Sequence, residues 1–275
     1  MSENTWTVTG PQTIDVDGVR SLKLGIVRGR FDIVTHDEDV ARVEVSEING
    51  DPLSVSVIDG RLEVRHQLHG AQGWFKNLMG TVNNNSSNSV VISIALPAGV
   101  EVEAGTVSGD GMVAGISGHA RLNTVSGSVL ADGTSGDLSV NTVSGEVIAR
   151  NHSGVLTAKS VSGEVTASGD FSHIRANTVS GDLNFDLYGF TQDFGANSVS
   201  GDVTIRVPHD VGVDIIAKSA SGAVVIDNQK YAQPGGAVQT IAGPDTKLML
   251  VRTNSVSGKT SIFHGQPAPD TETGF

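Results

Sequence analysis

From residue 106 to residue 186 apolar side chains recur at two fixed places in a nine-residue unit. Start each unit two residues before its Ser-Gly pair. Its sixth position then reads Ala120, Val129, Leu138, Val147, Leu156, Val165, Ile174 and Leu183. Its eighth reads Val113, Leu122, Ala131, Val140, Ala149, Ala158, Ala167, Ala176 and Phe185. The positions beside them are mostly polar, as at Arg121, Asn123, Asp137, Ser139, Asn141, Glu146 and Glu164. Period-two alternation over five residues, closed by glycine, predicts a short half-buried strand between corners.

The corners keep time. Ser-Gly pairs end in Gly109, Gly118, Gly127, Gly136, Gly145, Gly154 and Gly163, miss one beat where His173 follows Ser172, and return at Gly181, with Gly201 further on. The fuller form Thr/Ser-Val-Ser-Gly begins only at alternate beats: Thr106, Thr124, Thr142, Ser160 and Thr178. Two nine-residue half-repeats thus make one turn of eighteen, and a repeat this short buries its apolar side only by stacking on its neighbours. The predicted fold is all-β, a parallel β-solenoid (β-helix) with residue i beside i+18 and coils about 4.8 Å apart. Its interior is narrow and filled by Val, Leu, Ile and Ala. The composition, with 34 Gly but two Trp, two Tyr and eight Phe, suits thin coils.

The flanks are less regular. Between Val19 and Val64 short alternating runs such as Leu22/Leu24/Ile26 and Val55/Val57 are joined by turn material at Asn49-Gly50-Asp51-Pro52 and Asp59-Gly60. We read residues 1–90 as irregular N-terminal coils or a cap of the same solenoid, with a separate small β-domain as the alternative. Residues 91–264 are the repeat domain, and 265–275 a polar, Pro-bearing disordered tail.

Two stretches match each other. Ile94-Ala95-Leu96-Pro97 leads through Val100-Glu101-Val102-Glu103 to Val107-Ser108-Gly109, and Ile205-Arg206-Val207-Pro208 leads through Val211-Gly212-Val213-Asp214 to Ala220-Ser221-Gly222. This entry, followed by serial Val-Ser-Gly-acidic turns, resembles the bacterial β-strand-repeat putative-adhesin family, a domain of unknown function. The resemblance spans about residues 92 to 263. It implies a β-solenoid and an adhesin-like role, and brings no catalytic residues.

Candidate chemistry is sparse. An acid follows several corners, at Asp110, Asp137, Glu146, Glu164, Asp182 and Asp202. Calcium-binding nonapeptide coils use more glycine-opened carbonyls and an acid one residue later, so the expectation is a solvated acidic column and no metal. At position two the Val-Ser-Gly half carries an apolar ladder, Val107, Val125, Val143, Val161 and Val179, while the other half reads Ile116, Thr134, His152, Asp170 and Tyr188. Stacked in register, Thr134, His152 and Asp170 would touch. An acid that orients a histidine begins general-base chemistry. With no oxyanion-binding loop and no deep pocket, a mutually satisfied polar ladder is the expected outcome. His66 and His69 lack a third ligand. Asn123, Asn141 and Asn177 form a second column, read as a side-chain ladder at the bend. The threonine columns lack the regular Thr-x-Thr faces of ice-binding solenoids.

The most apolar stretch without alternation is Gly73–Gly80, where Trp74, Phe75, Leu78 and Met79 share one helical turn beside the polar run 83–88. It caps the exposed core or contacts a partner. A net charge of −12 disfavours nucleic acid and anionic membranes as partners. The absence of cysteine removes disulfides and thiolate chemistry. The N-terminus has no basic region leading into an apolar stretch, and no run approaches a membrane span, so a cytoplasmic location is expected. Carbohydrate-active β-helix enzymes use long loops to wall a groove, and between Thr106 and Asp186 no connection exceeds a corner. The sequence therefore predicts a non-enzymatic structural or interaction module with no cofactor and no small-molecule substrate. It would engage a protein partner or its own kind.

Overall fold

The computed structural model describes residues 4–66, 88–231 and 236–265. Trp74, Phe75, Leu78, Met79, His69 and the tail beyond residue 265 lie outside the described residues. Among those described, the chain is all-β, with 24 strands in one hydrogen-bonded sheet.

In chain order they begin with β1 (Asn4–Val8), β2 (Gln12–Asp17), β3 (Ser21–Ile26), β4 (Gly29–His36), β5 (Val40–Asn49), β6 (Leu53–Ile58), β7 (Arg61–His66) and β8 (Ser89–Pro97). The middle comprises β9 (Glu101–Thr106), β10 (Asp110–Ala114), β11 (Ser117–Thr124), β12 (Val129–Asp132), β13 (Ser135–Thr142), β14 (Val147–Ser160), β15 (Val165–Thr178) and β16 (Leu183–Leu187). The last are β17 (Asp193–Ser198), β18 (Val203–Val207), β19 (Gly212–Ser219), β20 (Val224–Ile226), β21 (Gln229–Tyr231), β22 (Ala237–Ala242), β23 (Leu248–Ser255) and β24 (Thr260–His264).

The pairings resolve into two runs of strands. One is β1-β6-β7-β3-β9-β11-β13-β14-β15-β17-β23-β19-β22. The other is β2-β5-β8-β4-β10-β12-β14-β15-β16-β18-β24-β20-β21. The long strands β14 and β15 belong to both, because each bends through a corner, with the ladder between them shifting register there and resuming beyond it. Pairing through the middle is parallel, with Leu122 beside Val140 and Ala131 beside Ala149. Across one step the coil lengthens, and Ile174 faces Phe194.

Positions six and eight point inward throughout. Ala120, Leu138, Leu156 and Ile174 form one buried column, and Val113, Ala131, Ala149, Ala167 and Phe185 another. Where the coil lengthens, two large rings fill the wider interior: Phe185 and Phe194 meet edge to face with centroids 5.0 Å apart.

The flanks do more than widen. The pair β3/β4, early in sequence, lies between β7/β8 and β9/β10, so that Leu22 is flanked by Leu62 and Val102. At the other end the last pair, β23/β24, inserts between β17/β18 and β19/β20, with Val251 flanked by Phe194 and Ile215. Both ends then close with antiparallel strands, β1 and β2 through β6 and β5, and β22 and β21 on β19 and β20. Short connections such as Asp59-Gly60, both with positive φ, turn the chain back on itself at these ends.

Candidate functional site

The Thr/Ser-Val-Ser-Gly corner is built from four residues, three of which the fold consumes. The first-position hydroxyl is buried and donates to the glycine carbonyl three residues on: Thr124 Oγ1 to Gly127 O at 3.0 Å, Thr142 to Gly145 at 2.6 Å, Thr178 to Gly181 at 2.8 Å. This is the local side-chain bond that lets Ser and Thr hold a turn. The serine hydroxyl donates to the valine carbonyl of the coil below, Ser126 to Val107 and Ser144 to Val125, both at 3.0 Å. The glycine leaves room for that coil. A Cβ on Gly127 would lie 1.8 Å from Gly109 O, and on Gly163 2.0 Å from Gly145 O.

The opposite corner adds a second reason for glycine, besides the close approach that also holds at Gly136 and Gly154 (a Cβ would lie 2.5 Å and 2.2 Å from the glycine carbonyl of the coil before). Gly118, Gly136 and Gly154 take φ values of 120°, 98° and 136°, where a side chain is strained.

The valine is left over. Val107 and Val125 are half-buried, while Val143 (43% exposed), Val161 (45%), Val179 (48%) and Val199 (47%) form a line of outward side chains, continued by Val256. Sequence reasoning found this column but not its direction. A signal existed: inward slots vary among Ala, Val, Leu, Ile and Phe, whereas this slot keeps valine from Val107 to Val199 and at Val256, with Ala220 the exception.

Beside the valines runs the asparagine ladder, with Asn141 Nδ2 donating to Asn123 Oδ1 at 2.9 Å and Asn197 Nδ2 to Asn177 Oδ1 at 2.8 Å. Lys159 takes one rung, exposed. A shallow groove of about 210 Å³ lies between ladder and valines, lined by Thr124, Val125, Asn141, Thr142, Val143 and Val161 among others.

On the other side of the corner stands the acidic column. Asp110, Glu146, Glu164, Asp182 and Asp202 are exposed. Some of their oxygens accept backbone N–H groups of the next coil: Asp110 from Ser128 at 3.0 Å, Asp182 from Asp202 at 2.8 Å, Asp202 from Lys259 at 2.8 Å. Asp137, at the opposite corner, instead faces His119 at 3.5 Å. Two residues beyond the acids, on the same strand face, come half-buried Met112, Leu130 and Ile148, replaced from the next coil by Thr166, Asn184 and Thr204.

The Thr134–His152–Asp170 ladder forms only in part. Thr134 and His152 are buried and joined through Oγ1 and Nδ1 at 2.9 Å, and His152 Nε2 lies 3.3 Å from Val155 O. The arrangement suits a neutral ring, with Nε2–H donating to Val155 and Nδ1 accepting from Thr134. Burial depresses the His152 pKa below its ordinary value, partly opposed by the Val155 carbonyl.

Asp170 is not in the ladder. A one-residue register shift between Ala149 and His152 places Gly169 on His152 and Asp170 beside Ser153. Phe171 takes the inward place, its ring 5.6 Å from that of His152. Only Gly169 fits there, since a Cβ would lie 2.0 Å from His152 O. Tyr188 points to solvent. His66 is buried, its pKa lowered by burial, with no hydrogen-bond partner for either ring nitrogen among the described residues. No group of three metal-ligating side chains gathers among the described residues.

The profile of the family described as Toastrack DUF4097 matches residues 23–262. No curated protein matches the chain. Among solved structures, one described as a putative lipid binding protein from Parabacteroides distasonis is 18% identical, with 94% of this chain and 97% of that one covered at a TM-score of 0.55. At that identity the likeness shows the fold alone. A putative adhesin from the same organism is 12% identical, covering 96% and 97% at a TM-score of 0.48. A putative cell adhesion protein from Clostridium sporogenes is 14% identical, covering 93% and 100% at 0.32.

Proposed function

The chain belongs to the toastrack DUF4097 family, and on that footing we propose that it is a non-catalytic interaction scaffold whose contact surface is the valine corner. We read its framework as a β-solenoid of roughly 18-residue coils, running from the irregular N-terminal strands into the repeats as one body. The parallel register and the shared buried column support that reading.

One observation carries the function: a straight line of valines held outward by a motif whose other three residues are committed to the backbone. Soluble chains rarely keep a contiguous exposed apolar strip without use. Each half-exposed valine would contribute about 1 kcal/mol when covered, from the area it removes from water. The catalytic alternative is weak because both nitrogens of His152 are engaged in a buried site and Asp170 is not in contact with it.

Replacing Val161 and Val179 by Ser tests the proposal. The double variant should melt within a few degrees of the parent, since both side chains are half in water, and should lose the protein that cross-links to the parent chain in its native host. Cross-linking that survives the change would overturn the assignment.

A further inference from the structure

The valine corner borders a column of exposed carboxylates that make no salt bridge among the described residues. Glu63, Glu103, Asp15, Asp32, Asp137, Asp186, Asp193, Asp210 and Asp227 each sit within salt-bridge distance of Lys, Arg or His. Asp110, Glu146, Glu164, Asp182 and Asp202 make no such bridge among the described residues, although they stand in adjacent coils, broken only at Ser128. Like charges stacked about 4.8 Å apart repel. No Lys, Arg or His stands in the column between Arg30, which pairs in register with Asp110, and Lys259, whose N–H bonds Asp202.

Apolar side chains flank it on both sides over the first coils. Val107, Val125, Val143 and Val161 lie across the corner, and Met112, Leu130 and Ile148 lie on the strand face. Over these coils the surface is an anionic rail between two apolar strips, and from Glu164 onward the valine strip alone continues beside Thr166, Asn184 and Thr204.

We propose that this rail binds a cationic amphipathic helix of a partner protein, laid along the stacking axis. The proposal rests on the valine corner being the contact surface, and it names the chemistry of the occupant. Charge complementarity selects a basic partner and disfavours both anionic lipid and a second copy of this chain, which carries a net charge of −12. Spacing selects the helix. The rungs repeat about every 4.8 Å, and one face of an α-helix offers a residue about every 5.4 Å. The drift is about 0.6 Å per rung, which long Lys or Arg side chains absorb over four or five coils. A strand laid along the same line repeats its face about every 6.8 Å and loses register after two coils.

The test uses the full chain and three fluorescent peptides of about 18 residues: an amphipathic Lys/Leu helix, its Glu/Leu counterpart, and a scrambled Lys/Leu sequence of equal charge. The parent should bind the amphipathic Lys/Leu peptide, and at least tenfold more weakly the other two. Glu146→Gln with Glu164→Gln, and separately Val161→Ser with Val179→Ser, should each weaken binding about tenfold. The equally neutralised control Asp37→Asn with Asp39→Asn, in an exposed N-terminal loop, should change it less than twofold. Circular dichroism melts establish that every variant is folded.

Equal loss in the control and rail variants, or equal binding of the scrambled peptide, would reduce the effect to diffuse charge attraction and overturn the proposal. No binding of any peptide, with valine-dependent cross-linking in the host preserved, would overturn the cationic helix and leave the contact surface standing. Loss of neither peptide binding nor cross-linking in the valine variant would overturn both.

Discussion

Gly145→Ala against Gly118→Ala separates the two reasons for glycine in this fold. At Gly145 the backbone angle is ordinary and space is the issue. A Cβ there would lie 2.2 Å from Gly127 O and 3.0 Å from Thr124 Cγ2. Relief requires neighbouring coils to part by about 1 Å, well beyond what close-packed interiors give freely. Three hydrogen bonds converge on the carbonyl that would be left behind: Ser144 N to Val125 O at 2.8 Å, Gly145 N to the same oxygen at 3.1 Å, and Ser144 Oγ to it at 3.0 Å. At about 0.5–1.5 kcal/mol each, their weakening costs about 2–4 kcal/mol.

Gly118 presents the opposite case: a Cβ there would meet nothing within 4 Å, but φ is 120°. Strain of that kind costs about 1–3 kcal/mol and disturbs no neighbour. Gly145→Ala should therefore be the more destabilising substitution in urea melts. Its loss of amide hydrogen-exchange protection should concentrate in β13 and β14 and the coils stacked against them, because each repeat contacts only its neighbours. A larger effect at Gly118, or protection lost evenly along the chain, would refute the assignment of close backbone stacking to the Val-Ser-Gly corner.

Leu138→Asp places an unpaired carboxylate in a fully buried column and should cost at least about 3 kcal/mol, read as a fall in melting temperature. Acid should destabilise the fold through its buried histidines. The folded pKa values of His152 and His66 lie below 6.5, so the unfolded chain binds the extra protons. Stability is complete above about pH 7 and declines as pH falls through 6.5 towards the folded values. His152→Gln should flatten part of that decline in melts from pH 7.5 to 5, and an unchanged slope would exclude His152 as a source. Millimolar calcium or EDTA should leave the melting temperature unmoved, since Asp110, Asp182 and Asp202 already accept backbone N–H groups of the next coil; a large calcium-linked rise would contradict this.

Alternation and the nine-residue beat were enough to place the inward columns. Leu138, Val140, Val147 and Ala149 are buried because a strand of period two with glycine corners has only one apolar side to hide. The asparagine ladder was legible for the same reason, since equal spacing implies equal position. Three features were settled only by the folded chain. Asp170 leaves the ladder because Gly169 alone fits against the His152 carbonyl, a one-residue slip that counting from Ser-Gly pairs does not reveal. The end pairs β3/β4 and β23/β24 insert between strands distant in sequence, and local patterning carries no information about which apolar face meets which. The valine column reads as apolar in the sequence, yet it faces water. A corner residue's direction depends on the bend, and the bend is set by Thr bonding within its own turn and by Ser and Gly bonding to the neighbouring coil.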